Sequence, residues 1–313
     1  MQSREIFEVV KPGMYTTFQD MGRKGYQRYG VPTAGAMDPF ALQAANIIAG
    51  NSPDAAALEV TLLGPELIAC TDVTIVITGA ELGPEINGRP AAMWSTRIMR
   101  EGDRLSFGKY QSGTRAYIAV SGGFDAPRYF GSSSADVKSG LGAMLKKKDK
   151  IIGYPRPVEQ GIGLSRKHIP AYKNSIKAAV IEGPHTESFT DRGRETFFNT
   201  VHRLDANSNR MGYKLRSEGI QVKEDREIFS DAVPMGGIQV PGNGQPIILM
   251  ADRQTTGGYP RIGTVASVDI PKLAQLAPGG EVSFYPISVE EAQRRLLHVK
   301  KFLHELSFYR QYI

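Results

Sequence analysis

Tyr15-Thr16-Thr17-Phe18-Gln19-Asp20-Met21-Gly22-Arg23-Lys24-Gly25-Tyr26-Gln27 leads into Gly30-Val31-Pro32-Thr33-Ala34-Gly35-Ala36-Met37-Asp38, and then into Ala41-Leu42-Gln43-Ala44-Ala45-Asn46 and Gly50-Asn51. Glycines, polar residues and a proline alternate here without helical or strand periodicity. A core segment would repeat apolar residues every two or 3.6 positions. An unstructured linker would lack Tyr, Phe, Val and Met. What remains is an ordered, polar, glycine-rich surface, the kind of segment on which binding sites sit.

Outward from this stretch, composition sets the frame. A length of 313 residues fits one large domain or two ordinary ones. Hydrophobic content of 41% and charged content of 22% are those of a soluble globular protein. No apolar run approaches the roughly 18 residues of a membrane-spanning helix, and Met1-Gln2-Ser3-Arg4-Glu5 has no apolar signal core. Cys70 is the single cysteine, so no intrachain disulfide forms and a cytoplasmic setting is expected. Between Leu67-Ile68-Ala69 and Thr71 it reads as a buried apolar filler rather than a reactive thiol. The net charge is +6, but basic residues are spread along the chain. Their one cluster, Lys146-Lys147-Lys148-Asp149-Lys150, follows Gly140 and Gly142 and reads as a solvated loop, with steering of an anionic substrate or partner as the alternative. No RNP signature, metal-finger spacing or basic heptad accompanies it, so no nucleic-acid partner is expected.

The chain reads as mainly β. Glycines (34) and prolines (19) punctuate short apolar runs. Val73–Thr78, Arg115–Val120, Ala178–Ile181 and 246–250 have the length and residue types of strands. Many short strands between frequent turns suit barrels or sandwiches rather than a doubly wound sheet. Helices are few. Asp38 can cap one that begins at Pro39, a residue suited to the first helical position. Another runs from about Ser288 to His304, with Glu290 and Glu291 in its first turn, and its Leu296, Val299, Phe302 and Leu303 can dock it on the second domain. A faint internal echo links residues 100–107 to 276–284: a glycine turn, an acidic residue and a short strand in each.

The opening stretch also resembles a known pattern, and it is not alone. Leu58-Glu59-Val60-Thr61, Gly64-Pro65, Ile77-Thr78-Gly79-Ala80 and Ala119-Val120-Ser121-Gly122-Gly123 fit the same family. So do Ser208-Asn209-Arg210-Met211-Gly212-Tyr213, Gly237-Ile238-Gln239-Val240-Pro241, Gly244-Gln245-Pro246 and Asp252-Arg253-Gln254-Thr255-Thr256-Gly257-Gly258-Tyr259-Pro260. In order, from about residue 10 to about residue 287, the chain resembles the biotin-dependent carboxyltransferase-like family. That family includes KipA, the C subunits of 5-oxoprolinases and the allophanate hydrolase subunit 2 domain of urea carboxylase. The resemblance implies two cyclophilin-like β-barrel domains packed together. The first would be 1–160, carrying the glycine-rich signature, and the second 161–313, with a C-terminal helix. The join falls near residues 150–172, where Pro155, Pro157, Gly161, Gly163 and Pro170 cluster.

Motifs for metal or covalent chemistry are missing. There is no His-Glu-x-x-His or Cys-x-x-Cys pair, and the five histidines (168, 185, 202, 298, 304) show no ligand spacing. His185 and His202 can be functional, with surface or locally bonded roles as the alternative. No Gly-x-x-x-x-Gly-Lys-Thr loop is present, and Ser121-Gly122-Gly123 lacks the Gly-x-Ser-x-Gly elbow. No Ala-Met-Lys-Met biotinylation sequence occurs, so any biotin arrives on another chain. The strongest candidate for a site is Asp252–Tyr259, after an apolar strand. Its carboxylate, amide and hydroxyls can meet a small polar molecule, and Gly257 and Gly258 let backbone N–H groups face it; a turn with capping residues is the alternative. Gln19, Asp20, Arg23 and Asp38 form a second set, with Asp20 alternatively holding Arg23 in an ion pair and Asp38 alternatively a plain cap. Asn209 and Arg210 add an amide and a cation suited to carboxylate or phosphate.

Three functions follow from the resemblance. The first is the C subunit of an ATP-dependent 5-oxoprolinase, which with an A subunit and a KipI-like B subunit opens the lactam of 5-oxoproline to glutamate. An amide is a poor electrophile, and phosphorylating its oxygen activates it. Developing anions would then meet Arg210, Thr255, Thr256 and backbone N–H groups, with Asp252 or Asp20 in acid–base roles and Gln19, Arg23, Asp38, Asn209, Gln254, Gly257, Gly258 and Tyr259 binding substrate. ATP would act through the complex. The second is carboxyl transfer from carboxybiotin on a partner to a small amide such as urea. The third is a KipA-type regulatory protein that binds a KipI-like inhibitor of a histidine kinase.

Overall fold

The computed structural model describes residues 2–223 and 228–310. These residues are mainly β, with four α-helices: α1 (Pro39–Ile48), α2 (Asp191–Asn199), α3 (Ile270–Ala274) and α4 (Val289–Arg310). The chain divides into two compact units. Unit 1 is Met1–Arg23, Ala34–Tyr172 and Lys301–Ile313; unit 2 is Lys24–Thr33 and Lys173–Lys300.

Unit 1 is built on two sheets. One has six strands in the order Lys150–Gly153, Arg4–Lys11, Glu66–Ala69, Arg104–Phe107, Pro84–Ile86 and Arg89–Pro90. The other has five, in the order Tyr15–Gln19, Ala57–Thr61, Ser112–Val120, Val73–Glu81 and Thr96–Met99. Side chains alternate across a strand, and the five-stranded sheet uses both faces. Ile75, Ile77, Ala116, Ile118 and Val120 join Ile6, Phe7 and Val9 of the first sheet in one core. Val76, Tyr117 and Ala119 face the other way, into a core with Ala41, Leu42, Ala45 and Ile48 of α1. Burial on both faces explains why Val73–Ile77 reads as a run of β-branched residues rather than as an alternating apolar and polar pattern.

Unit 2 is a closed barrel. Its order is Ser175–Glu182, Arg261–Val265, Gly237–Gln239, Ile247–Leu249, Gly212–Arg216, His202–Leu204 and Glu281–Pro286. The last strand closes the ring by pairing in parallel with Ser175–Glu182, Ile176 opposite Val282. The other barrel pairs are antiparallel. Thr190 caps α2 through Gly193 N, and the helix covers the barrel with Phe197, whose ring stacks on Phe284 at 4.7 Å. Fully burying one such ring contributes roughly 2–3 kcal/mol.

The two segments of the internal echo have the same local form: Gly102 at φ 85° precedes strand Arg104–Phe107, and Gly279 at φ 80° precedes Glu281–Pro286. Only glycine enters that region without strain. Ser288 caps α4, accepting from Glu291 N at 3.2 Å. The helix continues six residues past the expected His304, to Arg310. Its docking also differs from the expectation. Phe302 belongs to unit 1, where it stacks on Phe40 at 6.2 Å and lies 4.8 Å from the His168 ring, while Leu296 and Val299 are only half-buried. The α1 side chains left over by the sheet supply the partner surface. Lys146 and Asp149 close the basic segment into an exposed turn, Lys146 N donating to Asp149 Oδ2 at 2.7 Å. Cys70, expected to be buried, is partly exposed beside a strand end, and burial still pushes its thiol up.

Candidate functional site

In unit 1 the glycine-rich stretch is a scaffold of shared hydrogen bonds. Gln19 ends a strand and is buried; its Nε2 donates to Thr17 Oγ1 and to Ala135 O, each at 3.0 Å. Asp20 Oδ1 accepts from Gly22 N at 2.8 Å and from the hydroxyls of Ser132 and Ser134, both at 2.6 Å. Its Oδ2 accepts from Ser133 N at 2.6 Å. Arg23, 1% exposed, donates to the carbonyls of Ser134 and Tyr129. The three residues thereby hold the 129–136 loop against the strand end. Serine hydroxyls and backbone N–H groups occupy the Asp20 carboxylate.

Asp38 is fully buried and serves as the cap of α1, Oδ1 accepting from Ala41 N at 3.0 Å. Its Oδ2 accepts from Tyr172 OH at 3.0 Å. Asp38 N donates to Tyr117 OH at 2.8 Å, and that hydroxyl donates to Glu59 Oε2 at 2.7 Å. Met37 N reaches the same oxygen at 2.9 Å, and Arg115 Nε lies 3.9 Å from Glu59 Oε1. Burial, with the charges of Glu59 and Asp38, holds the Tyr117 hydroxyl well above the usual tyrosine range. This interior network seats the helix and offers Asp38 no face toward solvent.

In unit 2 the Asp252–Tyr259 loop rests on a cationic floor. Gly212 pairs with Leu249 in antiparallel strands. The ladder runs on through Met250 N to Met211 O at 3.0 Å and Asp252 N to Arg210 O at 2.8 Å. That register puts Arg210 beside Asp252, and the side chains close a two-bond fork, Nε to Oδ2 and Nη2 to Oδ1, both 2.8 Å. Asn209 is exposed and bonds within its own loop, its Oδ1 accepting from Met211 N at 2.8 Å. Arg253 anchors the next turn, Nε donating to Val233 O at 2.9 Å, and burial lowers its pKa. Thr256–Gly257 pairs with Asp231–Ala232. Arg261 donates from Nη1 to Ala232 O at 2.9 Å and lies 3.5 Å from Asp231 Oδ2. His185 Nδ1 accepts from Arg261 N at 3.2 Å; burial and the Arg261 charge hold this imidazole below its usual pKa. Above the floor, Gln254, Thr256, Gly258 and Tyr259 are exposed, and Thr255 and Gly257 are half-buried.

Gln239 is the residue that sequence reasoning passed over. It ends a barrel strand, is 2% exposed, and its Nε2 has no hydrogen-bond partner. A buried donor left unsatisfied costs about 1–3 kcal/mol. Gly257 lies directly against it, since a Cβ at that glycine would stand 2.5 Å from Gln239 Nε2. Arg253 and Arg261 escape sequence reasoning in the same way. All three fall in or beside the family motifs, but a buried Arg or Gln at a strand end has no periodic signature. His202, the other histidine weighed, is buried and donates from Nε2 to Phe197 O at 2.9 Å. Among the described residues no group of three or more His, Cys, Asp and Glu side chains can hold a metal ion, and no helix is long and apolar enough to cross a membrane.

Residues 29–286 match the carboxyltransferase domain, subdomain A and B. The chain belongs to that family. Its carboxyltransferase-domain relatives include the 5-oxoprolinase C subunit of Escherichia coli, 37% identical over 97% of this chain and 98% of the relative. The corresponding 5-oxoprolinase C subunit of Haemophilus influenzae is 34% identical over 92% and 94% of the two chains. Among solved structures, the Kluyveromyces lactis urea carboxylase superposes with a TM-score of 0.90 at 29% identity, over 98% of this chain and 29% of the larger one. This carboxyltransferase-domain chain thus spans nearly the full length of the bacterial relatives but a minor part of the urea enzyme.

Proposed function

We propose that this chain is the C subunit of an ATP-dependent 5-oxoprolinase, opening 5-oxo-L-proline to L-glutamate together with the A and B subunits. The observation that carries this reading is end-to-end similarity to the Escherichia coli 5-oxoprolinase C subunit. In the net ring opening the lactam C–N bond breaks, a water oxygen joins the carbonyl carbon, and the nitrogen leaves protonated. ATP supplies the phosphoryl group that activates the amide oxygen, and we place it on a partner chain, because this one has no phosphate-binding glycine loop of the Gly-x-x-x-x-Gly-Lys-Thr kind.

What the unit 2 loop contributes is substrate positioning and charge. Arg253 and Arg261 set positive charge beneath the exposed loop, while the charge of Arg210 is compensated by Asp252. Asp252 holds Arg210 in register, with both oxygens taken by guanidinium N–H groups, and proton transfer falls to other groups. Asp20, held by four donors, organises the 129–136 loop rather than exchanging a proton. Gln239 Nε2 and the loop amides offer donors to the substrate carbonyl or carboxylate.

The TM-score of 0.90 to urea carboxylase favours a second reading, carboxyl transfer from carboxybiotin on a partner chain to a small amide. The test mixes the purified chain with its cognate A and B subunits and follows ATP-dependent formation of glutamate from 5-oxoproline, omitting each component in turn. Turnover that needs all three is the expected result. A stable complex without turnover rejects the oxoprolinase reading.

A further inference from the structure

A second polar cleft, made wholly of unit 1 residues, opens at the C-terminal end of α1. Its volume is about 680 Å³, within the range of small-molecule sites. Two arginines reach it from segments far apart in sequence. Arg156 Nη2 donates to Gly50 O at 2.6 Å, and Arg310 Nε donates to Ile48 O at 3.0 Å. A Cβ on Gly50 would stand 2.6 Å from Arg156 Nη2 and 3.6 Å from Arg310 Nη2, so the two nitrogens are no more than 6.2 Å apart. Gly50 has φ 76°, which glycine alone adopts freely, and its bare Cα leaves the space the Arg156 guanidinium uses.

The charges here do not balance. A helix C-terminus carries about half a negative charge, and two guanidinium groups carry two positive ones. Among the described residues, neither arginine has a carboxylate within 4.0 Å. Glu159 lines the cleft, but its carboxylate stays outside that distance of both. Burial first, and the neighbouring Arg156 charge second, lower the Arg310 pKa. The hydroxyl-bearing Ser52 and Ser307 complete a lining rich in donors.

We propose that this cleft is an anion site that takes the phosphate or carboxylate group of a small organic molecule between Arg156 and Arg310. The planar, multi-donor guanidinium suits both oxyanions. The site is independent of the oxoprolinase reading, since it shares no residue with the unit 2 loop.

The test is calorimetric titration of the full chain at fixed ionic strength, with inorganic phosphate in one arm and malonate in the other. Saturable binding tighter than about 1 mM in either arm is expected, and the stronger arm names the ligand class. Arg156→Gln removes the cation but also a backbone bond, so Ser307→Asp, which adds a negative charge to the cleft while leaving both arginines in place, is the companion. Both variants should weaken binding by about tenfold or more, with Ser307→Asp keeping the wild-type melting temperature. No saturable binding in either arm overturns the proposal. So does equal affinity in the wild type and in folded Ser307→Asp.

Discussion

Arg210 and Asp252 show how a residue type can be legible while its role is not. The sequence marks both as polar groups near a strand end. Only the register reveals that they bond to each other. A buried, two-bond ion pair is costly to break because one charge is left uncompensated, typically by about 3–5 kcal/mol. Asp252→Asn is therefore expected to destabilise the fold by about that amount, and the double variant Arg210→Met, Asp252→Leu to recover most of it. Urea unfolding of the three proteins decides: a loss under about 1 kcal/mol for Asp252→Asn would show that the pair is not structural. Gln239 predicts the opposite split. Its Nε2 has no partner in the fold, so Gln239→Leu should melt no lower than the wild type. If the amide binds substrate, turnover of the reconstituted enzyme should fall by about tenfold or more. A lower melting temperature with unchanged turnover would assign Gln239 to the scaffold.

At the scale of elements, the strands of both cores were readable because β-branched runs between glycines and prolines leave few alternatives, and the caps of α1 and α4 were readable from Asp38-Pro39 and Ser288. The reach of α4 was not. Its last turn carries no apolar repeat strong enough to mark it, and its end is held by Arg310 Nε donating to Ile48 O. The Asp231–Ala232 and Thr256–Gly257 ribbon was also hidden, since two-residue strands have no period to detect. Gly257 is where that ribbon touches Gln239, and a Cβ there would overlap its amide. Gly257→Ala should displace the amide and cut turnover while changing the melting temperature little; unchanged turnover would detach the ribbon from the site. The contact between α2 and the barrel carries a pH dependence. His202 donates from Nε2 to Phe197 O, so this nitrogen holds the proton of the neutral ring, while the buried Nδ1 has no partner. Phe197 and Phe284 pack against the ring, and Val282 and Glu281 lie opposite His202 and Arg203 in the ladder. Burial lowers the folded-state pKa, the Phe197 carbonyl opposing it. The unfolded chain, near 6.5, then binds more protons below that pH. Stability from the neutral ring is full above about pH 6.5 and declines as pH falls toward the folded value. His202→Gln should flatten the melting curve between about pH 7 and pH 5; an identical pH slope in both proteins would place the sensitivity elsewhere.

For the whole molecule, family membership was legible because several glycine-rich motifs keep one order along the chain, and each is tied to a backbone demand that few residues meet. Chemistry is harder to read at this scale, since one fold serves unrelated reactions. The same architecture occurs in proteins named as 5-oxoprolinase subunits and in a urea carboxylase. The two reactions nonetheless differ in what they must carry. Carboxyl transfer moves a carboxyl group on biotin, whereas lactam opening takes only water and the phosphoryl group of ATP. This chain has no Ala-Met-Lys-Met sequence to hold biotin, so a carboxyl-transfer reaction would need a biotinylated partner in the assay. Avidin sequesters biotin and leaves phosphoryl chemistry alone. Glutamate formation by the chain reconstituted with its A and B subunits should therefore be unchanged by excess avidin and by removal of bicarbonate. Inhibition by avidin, relieved by free biotin added beforehand, would transfer the assignment to carboxyl transfer. The unit 2 loop would then have to present its cations to the carboxyl group of carboxybiotin in place of the lactam oxygen.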